Sequence, residues 1–161
     1  MQTSPLRPSP EQAPITHVST SPETTEGIAR DLATGLSLRE TLCLDGTLGA
    51  GKSVFARALI RALIGDEDLA VPSPSYTLAN VYAGPDGREI WHADLYRISD
   101  PEEIIEIGLQ DAAGEALLIV EWAQNWPTRP ADAMTIAFEV IGDTERRITL
   151  SGSHPTAPGT T

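Results

Sequence analysis

The segment Gly46-Thr47-Leu48-Gly49-Ala50-Gly51-Lys52-Ser53 constrains this chain more than any other. It matches G-x-x-x-x-G-K-[ST], a loop whose backbone N–H groups wrap phosphates and whose lysine reaches the β- and γ-phosphates. Such a loop requires a strand before it and a helix after it. Both are legible. Thr41-Leu42-Cys43-Leu44 is a short apolar run of strand character. Lys52 to Ile64 reads as a helix, with Ala58, Leu59, Ala62 and Leu63 on one face and Gly65 ending it. Lys52 is also the only lysine, the other ten basic residues being arginine. A guanidinium is a planar fork, whereas an ammonium is a compact point charge that fits between wrapped phosphates.

The rest of the chain fits around that unit. Ile15-Thr16-His17-Val18 reads as an edge strand. Ser21-Pro22-Glu23 opens a helix that runs to about Leu36, with Ile28, Leu32 and Leu36 as its apolar stripe. Tyr76 to Tyr82 and Glu89 to Tyr96 read as strands joined by the turn Gly84-Pro85-Asp86-Gly87. Asp100-Pro101-Glu102-Glu103 starts a helix that Gly108 interrupts. Ala116 to Val120 is continuously apolar, as in a strand buried on both faces. Met134 to Ile141 and Arg146 to Leu150 form a final hairpin. The expected class is α/β: a three-layer domain of the P-loop NTPase kind, with a parallel core sheet and antiparallel additions.

Residues 15–151 are the expected folded domain, with Pro-, Ser- and Thr-rich tails at 1–14 and 152–161 expected to be disordered. Eleven basic and 23 acidic residues give a net charge of −12, which argues against unaided binding of nucleic acid. The single cysteine, Cys43, lies in an apolar run and reads as a small buried hydrophobe. No apolar run approaches a membrane span, and Met1 to Pro14, with four prolines, is no secretory signal, so a cytoplasmic setting is expected.

The chemistry centres on the loop. Gly46, Gly49, Ala50, Gly51, Lys52, Ser53 and Val54 form the expected nucleotide-binding set, with the Ser53 hydroxyl on Mg²⁺. Hydrolysis further needs an acid near the metal and a group that places water. Glu121 ends the apolar strand and Asp94 ends another, and the carboxyl ends of such strands face the ligand crevice of α/β sheets. His92 and Asp94 alternate onto one face of their strand, and His92 reads as a supporting residue rather than a catalytic one. Pro72-Ser73-Pro74-Ser75-Tyr76-Thr77 admits two readings, a loop sensing the γ-phosphate through Ser75 and Thr77 or a proline-stiffened connection. Arg97 reads equally as a phosphate contact, a partner for the Asp94 region, or a surface ion pair.

Taken together and in order, these pieces resemble one family: the bacterial ATPase of tRNA threonylcarbamoyladenosine biosynthesis, the TsaE family. The resemblance spans about Thr25 to Trp122 and rests on the loop Gly46–Ser53, the run Ser73-Pro74-Ser75-Tyr76-Thr77-Leu78, His92-Ala93-Asp94-Leu95-Tyr96-Arg97, Asp100-Pro101-Glu102-Glu103 with Gly108-Leu109, and Glu121-Trp122. It implies a small ATPase using ATP and Mg²⁺, weak alone, that joins a two-protein transferase complex of the TsaB/TsaD type. That complex places a threonylcarbamoyl group on N6 of adenosine 37 of tRNA, and the ATPase meets tRNA only indirectly. It further implies Thr25 near the nucleotide, Ser53 and Glu121 at Mg²⁺, Asp94 as the acid needed for hydrolysis, and Trp122 packed beside the nucleotide. The chain departs from the family pattern at Thr47, where aspartate is common, and at Ser53 and Ser75, which replace threonines; Ala93 replaces an aromatic and Ala123 a proline.

Three rivals share the loop. A small-molecule kinase needs an arginine-rich lid, and Arg88, Arg97, Arg129 and Arg146-Arg147 form no such cluster. A GTPase reading guanine through Asn-Lys-x-Asp is excluded because Lys52 is the only lysine. A non-catalytic nucleotide-binding adaptor would not need both Asp94 and Glu121.

Overall fold

The computed structural model describes residues 13–152. The expected tails therefore lie, apart from residues 13, 14 and 152, outside the described residues. One seven-stranded sheet runs through the molecule in the order β1-β7-β6-β2-β5-β4-β3. Its strands are β1 (Ile15–Ser19), β2 (Thr41–Gly46), β3 (Ala79–Ala83), β4 (Glu89–Asp94), β5 (Leu117–Glu121), β6 (Met134–Val140) and β7 (Arg146–Ser151). The core, β6-β2-β5-β4, is parallel. β3 joins β4, β7 joins β6 and β1 joins β7, each antiparallel. The sheet is thus the expected one, a parallel centre with antiparallel additions.

Two helices cover each face. On one, α1 (Pro22–Ala33) and α2 (Lys52–Ile64) bury Ile28, Leu32, Phe55, Leu59 and Ile60 against Leu42, Leu44, Ile119 and Ile136. On the other, α3 (Pro101–Ile107) and α4 (Leu109–Ala112) bury Ile104 and Leu109 against Cys43, Ala93, Leu118 and Val120, with Trp126 closing the layer. The alternation along each strand sends even-numbered residues of β2 to one layer and Cys43 to the other. Burial pushes the Cys43 thiol up to about 12, far from the reactive thiolate range. No helix among the described residues is long and apolar enough to cross a membrane.

Local chemistry sets the boundaries. Ser21 caps α1 by accepting the Thr24 N–H at 3.1 Å, and Pro22 takes the first turn. The helix ends at Ala33, three residues short of the expected Leu36. The Thr34 hydroxyl donates to the Asp31 carbonyl at 2.8 Å, and Leu36 still packs on the core from outside the helix. α2 runs from Lys52 to Ile64, with Gly65 left-handed at its end. Asp100 and Glu103 form a complete capping box on α3, and Gly108, left-handed, separates it from α4. β3 begins at Ala79 rather than Tyr76, because the proline-flanked loop continues through a bond from Leu78 N–H to the Pro74 carbonyl at 2.7 Å. β4 stops at Asp94, two residues before the expected Tyr96, because Asp94 Oδ1 accepts the Tyr96 N–H at 2.9 Å and turns the chain.

Candidate functional site

Three neighbouring parallel strands end together. β2 runs into the loop at Gly46, and β5 and β4 end at Glu121 and Asp94, whose Cα atoms are paired across the two strands. The loop turns back through Gly49 and Gly51, both at positive φ (78° and 108°), and α2 starts directly at Lys52. The first N–H groups of a helix have no partner within it, so the α2 start aims donors at the same mouth. Gly46 carries a separate constraint. A Cβ there would lie 2.7 Å from the Phe138 carbonyl oxygen, on the neighbouring strand β6.

Lys52, 4% exposed, donates to the carbonyls of Gly46 at 2.8 Å and Thr47 at 2.7 Å. Its ammonium also sits 4.2 Å from the centre of the Trp122 ring. Burial lowers its pKa from the usual lysine range, while the charges of Glu121, Asp94 and Asp45 pull it back up. Ser53 Oγ donates to Glu121 Oε1 at 2.8 Å. The second Glu121 oxygen, Oε2, lies 2.6 Å from His92 Nε2. The Asp94 carboxyl is raised above the usual range by burial and by the nearby Glu121 charge, against the opposing pull of the Tyr96 N–H. Trp122, left-handed at φ 57°, follows β5 and meets Tyr96 with ring centres 4.7 Å apart and planes tilted by 48°.

Lys52, Ser53, Asp94, Glu121 and Trp122 line a cleft of about 430 Å³ that also takes in Ser73, Ser75, Tyr96 and Arg97, and His92 is not part of its lining. Ser73 and Ser75 share a hydrogen bond of 2.8 Å at its edge. Thr77 turns away and donates to Asn80 Oδ1 at 2.9 Å. Arg97 pairs with no carboxylate among the described residues; its guanidinium lies 4.7 Å from the centre of the Tyr76 ring. Thr25 lies elsewhere, in a second cleft of about 430 Å³ across the loop, formed with Thr20, Ser21, Pro22 and the tip of the last hairpin, Asp143, Thr144 and Arg146. Gly49, Gly51 and Val54 line both clefts, so the loop is the wall between them. Thr25 is itself held, bonded to Ser19 Oγ at 2.7 Å.

Several contributors escape sequence reading. Arg146 reaches from β7 to the Gly49 carbonyl at 3.4 Å, and Gln124 reaches the Gly46 carbonyl at 3.3 Å. Arg129 pairs with both Asp45 oxygens at 3.1 Å, directly before the loop. Each is 78 to 97 residues from its partner. No spacing rule announces such contacts; the only local signal is an acid, Asp45, beside Gly46. A further cleft of about 610 Å³, around Trp91 and Gly108, lies at the start of β4 and β5 and contains none of these residues.

The model of the threonylcarbamoyl adenosine biosynthesis protein TsaE matches residues 19–148. The chain belongs to the TsaE family. Among curated TsaE proteins, that of Aquifex aeolicus is 36% identical over 130 residues, covering 81% of this chain and 90% of the relative. That of Bacillus subtilis is 33% identical over 134 residues, 81% of each. The match to the Rickettsia conorii protein, 37% identical over 108 residues, takes in 67% of this chain and 61% of that protein's length. The crystal structure of YdiB from Bacillus subtilis superimposes with a TM-score of 0.71 at 27% identity, covering 89% of this chain and 88% of that one. For this TsaE-family chain the matched segment contains both clefts and every residue expected at the site.

Proposed function

We propose that this chain is a Mg²⁺-dependent ATPase, weak alone and stimulated by partners, that serves the threonylcarbamoylation of adenosine 37 in tRNA through a two-protein transferase complex of the TsaB/TsaD type. The observation that carries the activity is the meeting of Lys52, Ser53, Glu121 and Asp94 at the carboxyl ends of three adjacent strands, at the mouth of an anion-cradling loop. The names of the relatives, tRNA threonylcarbamoyladenosine biosynthesis proteins, support the pathway.

The residues present fit a magnesium nucleotide. Gly49, Gly51 and the start of α2 offer backbone N–H groups to the phosphates, the Ala50 N–H closes the loop on the Thr47 carbonyl at 3.2 Å, and Lys52 offers an ammonium already oriented across the loop. Magnesium typically takes one or two carboxylates plus phosphate oxygens, and Ser53 with Glu121 supplies that small set. When bound, the cation screens the phosphate charge and polarises the bond that breaks. Thr25, Val54 and Arg146 line the space for base and sugar on the other side of the loop. Asp94 orients the attacking water and accepts its proton, a task suited to a carboxyl raised by burial. Trp122 shields the phosphate side from solvent and holds Lys52 by its ring face.

Partner dependence draws on the rim. Leu48, Tyr76 and Tyr96 are 72%, 85% and 53% exposed around the phosphate cleft, where an isolated enzyme gains nothing from showing them. With a net charge of −12, the chain reaches tRNA through others. The test is ATP turnover by the purified chain alone and with the cognate transferase pair. Slow turnover that rises severalfold with the pair is expected. Turnover indifferent to the pair, with phosphate transferred to a small metabolite, would instead identify a kinase.

A further inference from the structure

Glu121 is central to the proposed site, yet its strand fixes only its backbone. A glutamate has three rotatable side-chain bonds, so a carboxylate at a strand end can point in many directions. Two contacts hold this one. Ser53 donates to Oε1 at 2.8 Å, and His92 Nε2 lies 2.6 Å from Oε2. Ser53 arrives with the loop, whereas His92 comes from β4, two residues before Asp94. His92 and Glu121 are each 1% exposed, so water does not compete for the contact.

The other ring nitrogen decides the tautomer. His92 Nδ1 is buried and has no hydrogen-bond partner among the described residues. A proton on Nδ1 would leave a buried donor unpaired and set the Nε2 lone pair against a carboxylate oxygen. A proton on Nε2 makes a short bond to a charged acceptor and leaves only a lone pair unmatched.

We propose that His92, as the Nε2–H tautomer, is the positioning residue for Glu121 and thereby sets the Mg²⁺ affinity of the site. This rests on reading the cleft as a magnesium–nucleotide site. By holding Oε2, the imidazole leaves Oε1 facing Ser53 and the cation. Partners of metal-binding carboxylates are worth about ten- to a hundredfold in metal affinity.

The test is binding of a fluorescent ADP analogue to the full chain, first in chelator and then over a Mg²⁺ titration. His92→Leu is expected to bind the analogue as wild type in chelator but to need about ten- to a hundredfold more Mg²⁺ for the metal-dependent gain. His92→Gln, whose amide N–H reaches the Nε2 position, is expected to recover most of that loss. His92→Leu with wild-type Mg²⁺ dependence overturns the inference while leaving the nucleotide site intact. Wild-type binding with no Mg²⁺ dependence overturns the site reading itself, and this inference with it. Should His92→Leu not fold, nitrogen NMR of the wild-type ring decides: the Nε2–H pattern is expected, and an Nδ1–H pattern overturns the proposal.

Discussion

Gly46→Ala separates what the loop's first glycine does for folding from what it does for a ligand. A Cβ at position 46 lies 2.7 Å from the Phe138 carbonyl oxygen and 3.0 Å from Phe138 Cβ. Neither atom is free to move. Phe138 is paired with Gly46 on one side and with Ile148 on the other, and its ring packs edge-on against Phe55 at 5.4 Å. Relief requires the two strands to part, an overpacking cost of about 1–3 kcal/mol. The backbone adds to it, because Gly46 has φ 155°, which side-chain-bearing residues rarely adopt, a strain of about 1–3 kcal/mol. Together these predict a loss of about 2–6 kcal/mol, a large share of the roughly 5–15 kcal/mol that stabilises an ordinary domain. Gly49→Ala is the control. It has φ 78°, but nothing lies within 4 Å of its Cβ, so only the left-handed penalty of about 1–2 kcal/mol applies. Urea unfolding of both variants without nucleotide measures the difference, with midpoint and slope recorded so that a changed unfolded state is not mistaken for lost stability. Equal stabilities for the two variants would refute the reasoning, since β6 would then have yielded to the methyl group at no cost.

Three further outcomes are expected. Lys52→Ala should lower ATP turnover by about a hundredfold or more with the circular dichroism spectrum unchanged, and wild-type turnover would discard the phosphate role. Asp94→Asn should slow hydrolysis and also stabilise the protein at neutral pH. The carboxyl is raised chiefly by burial, so the folded chain holds its proton more tightly than the unfolded chain. Stability therefore falls as pH rises from the usual aspartate value through the raised one, and the deficit persists above it; the gain from asparagine should vanish in acid, as thermal melts across pH will show. Tyr76→Ser should leave turnover alone unchanged and weaken stimulation by the partner pair about tenfold, as one exposed aromatic anchor is lost; an unaltered partner titration would remove Tyr76 from the interface.

Local elements of this fold were legible because each carries its own signal. Lys52 to Ile64 is a helix between a left-handed glycine at each end, and the Asp100–Glu103 box is a pattern four residues long. The errors fell where one local preference yielded to another. Leu36 kept its place in the core after the helix had ended, and Asp94 stopped its strand by capturing the Tyr96 N–H. Asp94 and Glu121 were legible as strand-end residues, since an acid that closes an apolar strand lies at its carboxyl end, where α/β sheets open their ligand crevice.

By itself, then, the sequence determined the loop, its flanking strand and helix, the α/β class and the candidate acids, because all of these depend on residues within a few positions of one another. The tertiary structure alone decided that β2 lies between β5 and β6, that Phe138 leaves room only for glycine at 46, and that His92 grips Glu121 from another strand. It also placed Thr25 and Arg146 together on the far side of the loop. These groupings bring together residues 29 to 121 positions apart, and nothing local encodes them. They follow from strand order and register, which are settled by burying both faces of the sheet at once.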